Sequence, residues 1–257
     1  MAYIELMRLR KALMIYAVVV VAVFLLILIP SHWPGAVIHT DSAVSIPLSV
    51  LLPIVGFCAI IFATAIGTSL NRENDGVEMV WTKPVSRERL ALTYIGLDLA
   101  AIVLAYVLAF ALALIILASF GLLKFIHADA AWFPILMVTL GVALMWYGFL
   151  QGLTSWQAGG RGGIIIGLSW AACAFLLPAL TAATIRSPGL HQFILVLNFL
   201  NPLAYISASG SSHVHVGVSV GGPTLIPHDV WARVAITWGF SLLGSLAAIV
   251  GWKRLEV

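Results

Sequence analysis

The sequence carries very little charge for its length. Charged residues make up 9% of its 257 residues, against roughly 25% in an average soluble domain, while hydrophobic residues make up 62%. So few charges cannot cover so much apolar surface in water, which excludes a water-soluble fold and predicts that membrane lipids surround most of the chain. The net charge of +3 does not indicate nucleic acid binding, because the basic residues lie in short segments between apolar runs.

The sequence also lacks the motifs that carry enzyme chemistry. It contains no GxxxxGK[ST] phosphate loop, no HExxH and no GxSxG sequence, so we predict no catalytic residue, no cofactor and no ATP hydrolysis in this chain. The glycine-rich stretch 158–163 follows no predicted strand and lacks the Lys-Ser/Thr pair, which favours a flexible turn over an anion site. The two cysteines, Cys58 and Cys173, lie in apolar runs and are interpreted as small buried hydrophobic side chains.

Acidic residues avoid the apolar runs. Asp98, at the predicted cytoplasmic edge of the third run, is the only acidic residue in any long apolar stretch. Carriers driven by proton or sodium gradients usually hold ionisable groups near the middle of the membrane. We therefore expect any uphill transport by this chain to take its energy from a separate subunit.

Six apolar runs approach the roughly 20 residues that a helix needs to cross the hydrocarbon core. They predict an all-α integral membrane protein with six transmembrane helices in a single domain, 1–257. Pro47 and Pro53 in the second run predict a kink or a broken first turn, and Ser86 is the expected N-cap of an extended third helix. The runs are Ala12–Ile29, Ala43–Leu70, Leu99–Leu123, Trp132–Leu153, Gly163–Ala183 and Val230–Trp252.

The basic residues predict the side on which the termini lie. With the N-terminus in the cytoplasm, ten of the 13 Lys and Arg residues fall on the cytoplasmic side, and Lys124, Arg186 and Arg233 fall outside. The positive-inside rule therefore predicts N-in and C-in, with residues 1–11 as a cytoplasmic segment. The first run is longer than the apolar part of a signal peptide and no small-residue cleavage site follows it, so we expect it to remain as the first helix.

The long segment 184–229, between the fifth and sixth runs, is predicted to be extracytoplasmic. Its apolar stretch Leu190–Leu200 would be about 16 Å long as a helix, which is too short to cross. Asn201-Pro202 interrupts it, and Leu203–Ala208 continues the apolar character. We expect a pair of short re-entrant helices that enter the membrane from the outside.

A histidine pair follows these helices. Valine alternates with other residues over 213–220, which predicts an extended strand that the next two glycines turn back. His213 and His215 would then point to one face, about 6–7 Å apart, with His228 beyond the turn as a third candidate ligand. Three readings stay open: a soft transition-metal site, a pH sensor, or side chains that are simply solvated.

The predicted cytoplasmic loop 71–89, between the second and third runs, combines acidic residues with an apolar side. Its stretch Gly76–Thr82 is long enough for about two helical turns before Pro84, with Val77, Val80 and Trp81 on one side. Such a helix would fit a cleft on a soluble partner. It would equally suit a position on lipid headgroups, with Trp81 as an aromatic anchor.

This loop resembles the coupling loop of ABC transporter permeases of the type 2 exporter class, the type V transmembrane subunit family. Those permeases carry E-x-x-x-G-x-x-E and then a Pro-Val-Ser-Arg element at the start of the third helix. Here the glycine is one residue nearer the first glutamate, and Val77 replaces a common threonine. The basic N-terminal segment, the six-helix count and Asn201-Pro202-Leu203 agree as well, so the resemblance covers nearly the whole chain. It implies docking roles for Glu73, Gly76, Glu78, Val80, Trp81, Pro84 and Arg87.

The resemblance further implies a permease subunit of an ATP-driven exporter in a bacterial plasma (inner) membrane. Two permease copies, identical or related, would form the pathway between them, and two cytoplasmic ABC ATPase subunits would bind ATP and Mg. Gly163 and Gly167 are a candidate packing surface between the copies. A different class of function is a membrane scaffold that holds a soluble partner through the same loop without transport. The apolar spans favour a hydrophobic or amphipathic cargo.

Overall fold

The computed structural model of the chain describes residues 2–31, 46–67, 87–155, 162–183, 187–209 and 229–254. These residues are mostly helical, and six of their helices are long and apolar enough to cross a membrane, as the apolar runs predict. The membrane-length segments are Leu6–Leu26, Leu48–Gly67, Ala91–Ser119, Trp132–Thr154, Gly163–Thr181 and Val230–Gly251.

The elements follow one another in a simple order. The first half contains α1 (Ala2–Ser31), β1 (Ile46–Pro47), α2 (Leu48–Gly67), α3 (Arg87–Ser119), a 3-10 turn (Leu123–Phe125), β2 (Ile126–His127) and α4 (Trp132–Thr154). The fifth span is a composite of α5 (Gly162–Ala171), a π-helical turn (Ala172–Leu176) and α6 (Leu177–Ala183). The chain continues with α7 (Pro188–Leu197), a 3-10 turn (Asn198–Leu200), α8 (Pro202–Ser209) and α9 (Val230–Arg254).

Proline sets the start of α2. The helix begins directly after Pro47, and Pro53 is accommodated in its second turn. Before the helix, β1 pairs in parallel with β2, which joins the start of α2 to the connection between α3 and α4. The carboxylate of Asp129, in that same connection, accepts a hydrogen bond of 3.1 Å from the Ser49 N–H. Since the first N–H groups of a helix have no intrahelical acceptor, Asp129 acts as an N-terminal cap supplied from another part of the chain.

The centre of the bundle is α4, which packs most extensively against α9 and α2, while α1 packs mainly against α3. Glycine makes the contact between α4 and α9 possible. A Cβ atom at Gly244 would lie 2.6 Å from the carbonyl carbon of Gly148, so the two backbones touch. Gly141 faces Thr237 and Gly148 faces Ser241, so residue numbers rise together along the contact and the two helices run parallel.

The two short helices form where the sequence predicts a pair separated at Asn201-Pro202. Helix α8 packs against α2 and α4, and its Tyr205 side chain is buried. The Tyr205 hydroxyl donates a hydrogen bond of 3.0 Å to the Phe199 carbonyl, which ties α8 back to the preceding turn. Re-entry of this pair into the membrane from the outside stays a prediction. The predicted N-cap Ser86, the glycine-rich residues 158–161 and the histidine strand at 213–220 lie outside the described residues.

Candidate functional site: a buried charge cluster beside the predicted docking loop

The docking loop itself lies outside the described residues, and its assignments remain predictions. Glu73, Gly76, Glu78, Val80, Trp81 and Pro84 fall within 68–86, and Arg87 is described only as the first backbone residue of α3. The candidate metal ligands His213, His215 and His228 fall within 210–228, which is also outside. In the ranges that the structure covers, no three His, Cys, Asp or Glu side chains lie close enough together to hold a metal ion.

An ion pair between a partly exposed arginine and a buried carboxylate joins α1 to α3 near the end of the bundle from which this loop departs. The Arg8 Nη2 atom lies 2.6 Å from the Asp98 Oδ1 atom, and the Asp98 side chain has 0% of its surface exposed. Arg10 and Lys11, also near the start of α1, are exposed. A buried carboxylate is tolerated when a cation and hydrogen bonds replace the water that it has lost. Arg8 is therefore the basic residue of the N-terminal segment that neutralises charge inside the bundle.

Tyr147 brings a third helix to the same carboxylate. Its buried hydroxyl donates a hydrogen bond of 2.8 Å to the Asp98 Oδ2 atom. Each oxygen of Asp98 thus contacts a donor from a different helix, Arg8 of α1 and Tyr147 of α4. Hydrogen bonds to an ionised acceptor are stronger than those between neutral groups, so this one carboxylate holds three helices in register.

Gln151 extends the cluster to α2. It lies one turn beyond Tyr147 on α4, and its Nε2 atom donates a hydrogen bond of 3.2 Å to the carbonyl of Gly67, the last residue of α2. The final carbonyls of a helix have no intrahelical donor, so Gln151 satisfies a group that the helix end leaves over. The charge cluster, which we define as Arg8, Asp98, Tyr147 and Gln151, therefore joins α1 and α3 near their starts to α2 and α4 near their ends.

A second polar contact lies about one turn further into the bundle. The indole N–H groups of Trp146 and Trp170 both donate to the Thr64 hydroxyl oxygen, at 3.0 and 3.2 Å. The two indole rings meet edge to face with their centroids 5.1 Å apart. Thr64 in turn donates to the Ile60 carbonyl at 2.8 Å. This contact attaches α5 to α2 and α4 through side chains.

The sequence reasoning did not assign these residues a role together. It interpreted Arg8 as one of the basic residues that set topology and placed Asp98 at the edge of the third span. The structure pairs them across 90 positions of sequence. The available signal was that Asp98 is the single acidic residue in a long apolar stretch, because a lone intramembrane charge needs a partner.

Chemically, the charge cluster contains one ion pair, and each oxygen of its carboxylate accepts a hydrogen bond. It can fix the relative positions of four helices and can transmit a displacement of one helix to the others. Comparison of the chain with protein-family models, with curated proteins and with solved structures gives no match.

Proposed function

We propose that the chain is the permease subunit of an ATP-driven ABC exporter, coupled to separate cytoplasmic ATPase subunits. The observation that supports this proposal best is where the charge cluster lies relative to the loop 68–86. The chain enters the loop from Gly67, whose carbonyl is held by Gln151. It leaves the loop at Arg87, about three helical turns before Asp98. A partner that displaces the loop would therefore move two helices, α2 and α3, that the cluster joins through α4.

In this proposal both termini face the cytoplasm, together with the loop and the charge cluster. The short helices α7 and α8 re-enter the membrane from the outside. Two permease copies, identical or related, form the pathway between them in a bacterial plasma membrane. Two ABC ATPase subunits dock on the loops and bind ATP and Mg, while the apolar spans suit a hydrophobic or amphipathic cargo.

The docking step is tested with the double variant Glu78→Ala/Trp81→Ala. The tagged parent chain, purified from its native membrane, is expected to carry a subunit with a phosphate loop and to hydrolyse ATP in lipid vesicles. Loss of the predicted aromatic anchor and its charged neighbour should weaken the docking at least about tenfold. The matched control is Leu104→Ala/Val107→Ala, which truncates two exposed apolar side chains of α3 and should change neither binding nor hydrolysis.

Two outcomes would count against the proposal. Normal ATPase binding and transport by the Glu78→Ala/Trp81→Ala variant would remove the docking role of the loop. Purification with a soluble partner that has no nucleotide-binding motif, and with no transport in vesicles, would favour the scaffold function instead.

A further inference from the structure

Pro178 places a defect in the fifth span, because proline has no N–H to give to a carbonyl one turn earlier. In an α-helical register, each carbonyl pairs with the N–H four residues later, so the carbonyl left over would be that of Ala174. In a π-helical register the spacing is five residues, and the carbonyl left over is that of Cys173. The register of this turn therefore decides which carbonyl needs a donor from elsewhere.

The fifth span adopts the π register here. Residues Ala172–Leu176 form the π-helical turn, and the Leu177 N–H donates to the Ala172 carbonyl, five residues earlier. Because the Leu177 N–H is engaged with Ala172 and Pro178 has none, the helix provides no backbone donor for Cys173. A carbonyl without a donor inside a membrane protein costs free energy, so a partner is expected.

Asn201 is that partner. Its Nδ2 atom donates a hydrogen bond of 3.1 Å to the Cys173 carbonyl, and its side chain is buried. Its Oδ1 atom accepts a hydrogen bond of 3.1 Å from the Leu203 N–H, in the first turn of α8. Asn201 is thus the N-cap of α8, followed by Pro202 at the first helical position where proline is favoured. One amide caps α8 with its oxygen and completes the π turn with its nitrogen.

Separate contacts hold the two halves of the fifth span on either side of the π turn. Before it, Trp170 donates to Thr64 of α2 at 3.2 Å. After it, the Thr181 hydroxyl oxygen accepts a hydrogen bond of 3.3 Å from Asn198. A change of register by one residue would rotate one half against the other by about 100°. At least one of these two contacts must therefore break when the halves rotate against each other.

We propose that the fifth span is a two-position element and that Asn201 selects its π register. While α8 is seated against α2 and α4, Asn201 reaches Cys173 and Trp170 faces Thr64. When α8 moves away and Cys173 loses that donor, the α register becomes favoured, because it leaves only the Ala174 carbonyl without a donor, whereas the π register leaves Cys173 and one of the next two carbonyls without one. A movement of α8 is thereby converted into a rotation of α5. The fifth span is then the two-state element that couples the position of α8 to the orientation of α5. The inference goes beyond the proposed transport function and holds for any cargo.

The hydrogen bond from Asn201 to the Cys173 carbonyl is tested by a double-mutant cycle between Asn201→Ala and Pro178→Ala. In the parent, Asn201→Ala should lower the midpoint of thermal unfolding in detergent by roughly 5 °C, because a buried carbonyl loses its donor. In the Pro178→Ala background the helix supplies an N–H at 178, so the loss should be less than half as large. Loss of the α8 cap is common to both backgrounds and cancels in the cycle. Equal losses in both backgrounds would overturn the inference.

Tyr106→Phe serves as the matched control. It removes a buried hydrogen bond of 2.7 Å to Thr139, on a different pair of helices, and should cost the same in both backgrounds. If the Asn201→Ala chain cannot be recovered folded from the parent, its recovery in the Pro178→Ala background supports the inference. Failure in both backgrounds contradicts it.

The rotation is tested by cross-linking across the Thr64–Trp170 contact. In a background without the native cysteines (Cys58→Ala/Cys173→Ala), Thr64→Cys and Trp170→Cys should be joined by a short bifunctional reagent. Adding Asn201→Ala should reduce the cross-linked fraction to less than half, since the α register, with one fewer carbonyl lacking a donor, would then hold most of the population. An unchanged fraction in folded protein would show that Asn201 is a structural bond only and would overturn the two-position element.

Discussion

The fourth and fifth spans are both apolar segments of membrane-crossing length, yet they are held by different means. In the fourth, 67% of the most apolar stretch is buried, and in the fifth only 17%. Gly148 of α4 meets α9 backbone to backbone, whereas among the described residues no atom from outside the local helix backbone lies within 4 Å of the position that a Cβ would take at Gly163 or Gly167 of α5. Small residues bring helices together where the facing helix is shaped to meet them.

The difference separates a fixed part of the molecule from an adjustable one. The position of α4 is over-determined by close packing on two sides and by the charge cluster. The fifth span depends instead on a few hydrogen bonds from Trp170, Asn198 and Asn201. A segment held by few bonds changes position at lower cost than one held by close packing. The surface at Gly163 and Gly167 of α5 remains the predicted packing surface between two copies of the chain.

The largest loss of stability is expected when the carboxylate of the charge cluster is removed. Asp98→Ala removes the carboxylate that contacts both Arg8 and Tyr147, which should lower the free energy of unfolding by roughly 3 kcal/mol, the low end for a buried pair because Arg8 is 24% exposed. Thermal unfolding in detergent measures the loss. Arg10→Ala, which removes an exposed cation near the start of the same helix, is the control and should change little.

Replacing both charged residues shows how much of the stability loss comes from leaving one charge without its partner. Because the desolvation cost of two charges disappears together with their attraction, Arg8→Leu/Asp98→Leu should recover part of the stability lost in Asp98→Ala, while the loss of the hydrogen bond from Tyr147 to Asp98 remains. If Asp98→Ala proves as stable as the parent, packing alone fixes the position of α4 and the charge cluster contributes nothing measurable.

A smaller effect is expected at the glycine contact. In Gly244→Ala the new Cβ would lie 2.6 Å from the Gly148 carbonyl carbon, so α4 and α9 must separate slightly. Overpacking of this kind should cost roughly 1–3 kcal/mol in the free energy of unfolding. The same substitution at Gly167, where the space is open, should be neutral or stabilising because alanine favours the helix. Equal losses at the two positions would remove the contrast between the spans.

The sequence predicts the membrane-length helices well, because the bilayer imposes a length and a polarity that a local apolar run expresses directly. The ends of an apolar run do not predict where the helix itself begins and ends. Helix α3 begins at Arg87, near the start expected from Ser86 and well before the apolar run at Leu99. The break at Asn201-Pro202 is equally local, since its residues disfavour helix continuation by themselves.

The contacts that make up the sites are not local, and the sequence did not reveal them. Arg8 and Asp98 are 90 positions apart, and their pairing depends on which faces of α1 and α3 meet. The π turn is equally hidden: Pro178 indicates that a carbonyl is left over, but its identity depends on a donor 28 positions away from Cys173, on Asn201. Local sequence patterns predict the helices, whereas the side-chain partners in these contacts depend on how the helices pack.

The smallest effect is expected at the helix caps. Asp129 is a charged cap at the start of α2, and Asn201 is a neutral cap at the start of α8 beside the fifth span. Burial alone would raise the pKa of Asp129, but hydrogen bonds from the Ser49 side chain and N–H, and from the backbone N–H groups of Asp129 and Ala131, outweigh burial and lower that pKa. The folded chain then keeps this carboxylate charged at a lower pH than the unfolded chain does. Its contribution to stability is therefore present at neutral pH and is lost as the pH falls through the lowered pKa.

The unfolding midpoint of the parent should accordingly exceed that of Asp129→Asn by a small margin at pH 7, and the margin should shrink below about pH 4. The neutral cap Asn201 does not titrate, so the difference between the parent and Asn201→Ala should stay constant over the same range. A margin for Asp129→Asn that is equally constant would mean that the carboxylate holds the start of α2 without using its charge. In that case the two caps, and with them the two parts of the molecule, would not differ in how they respond to acid.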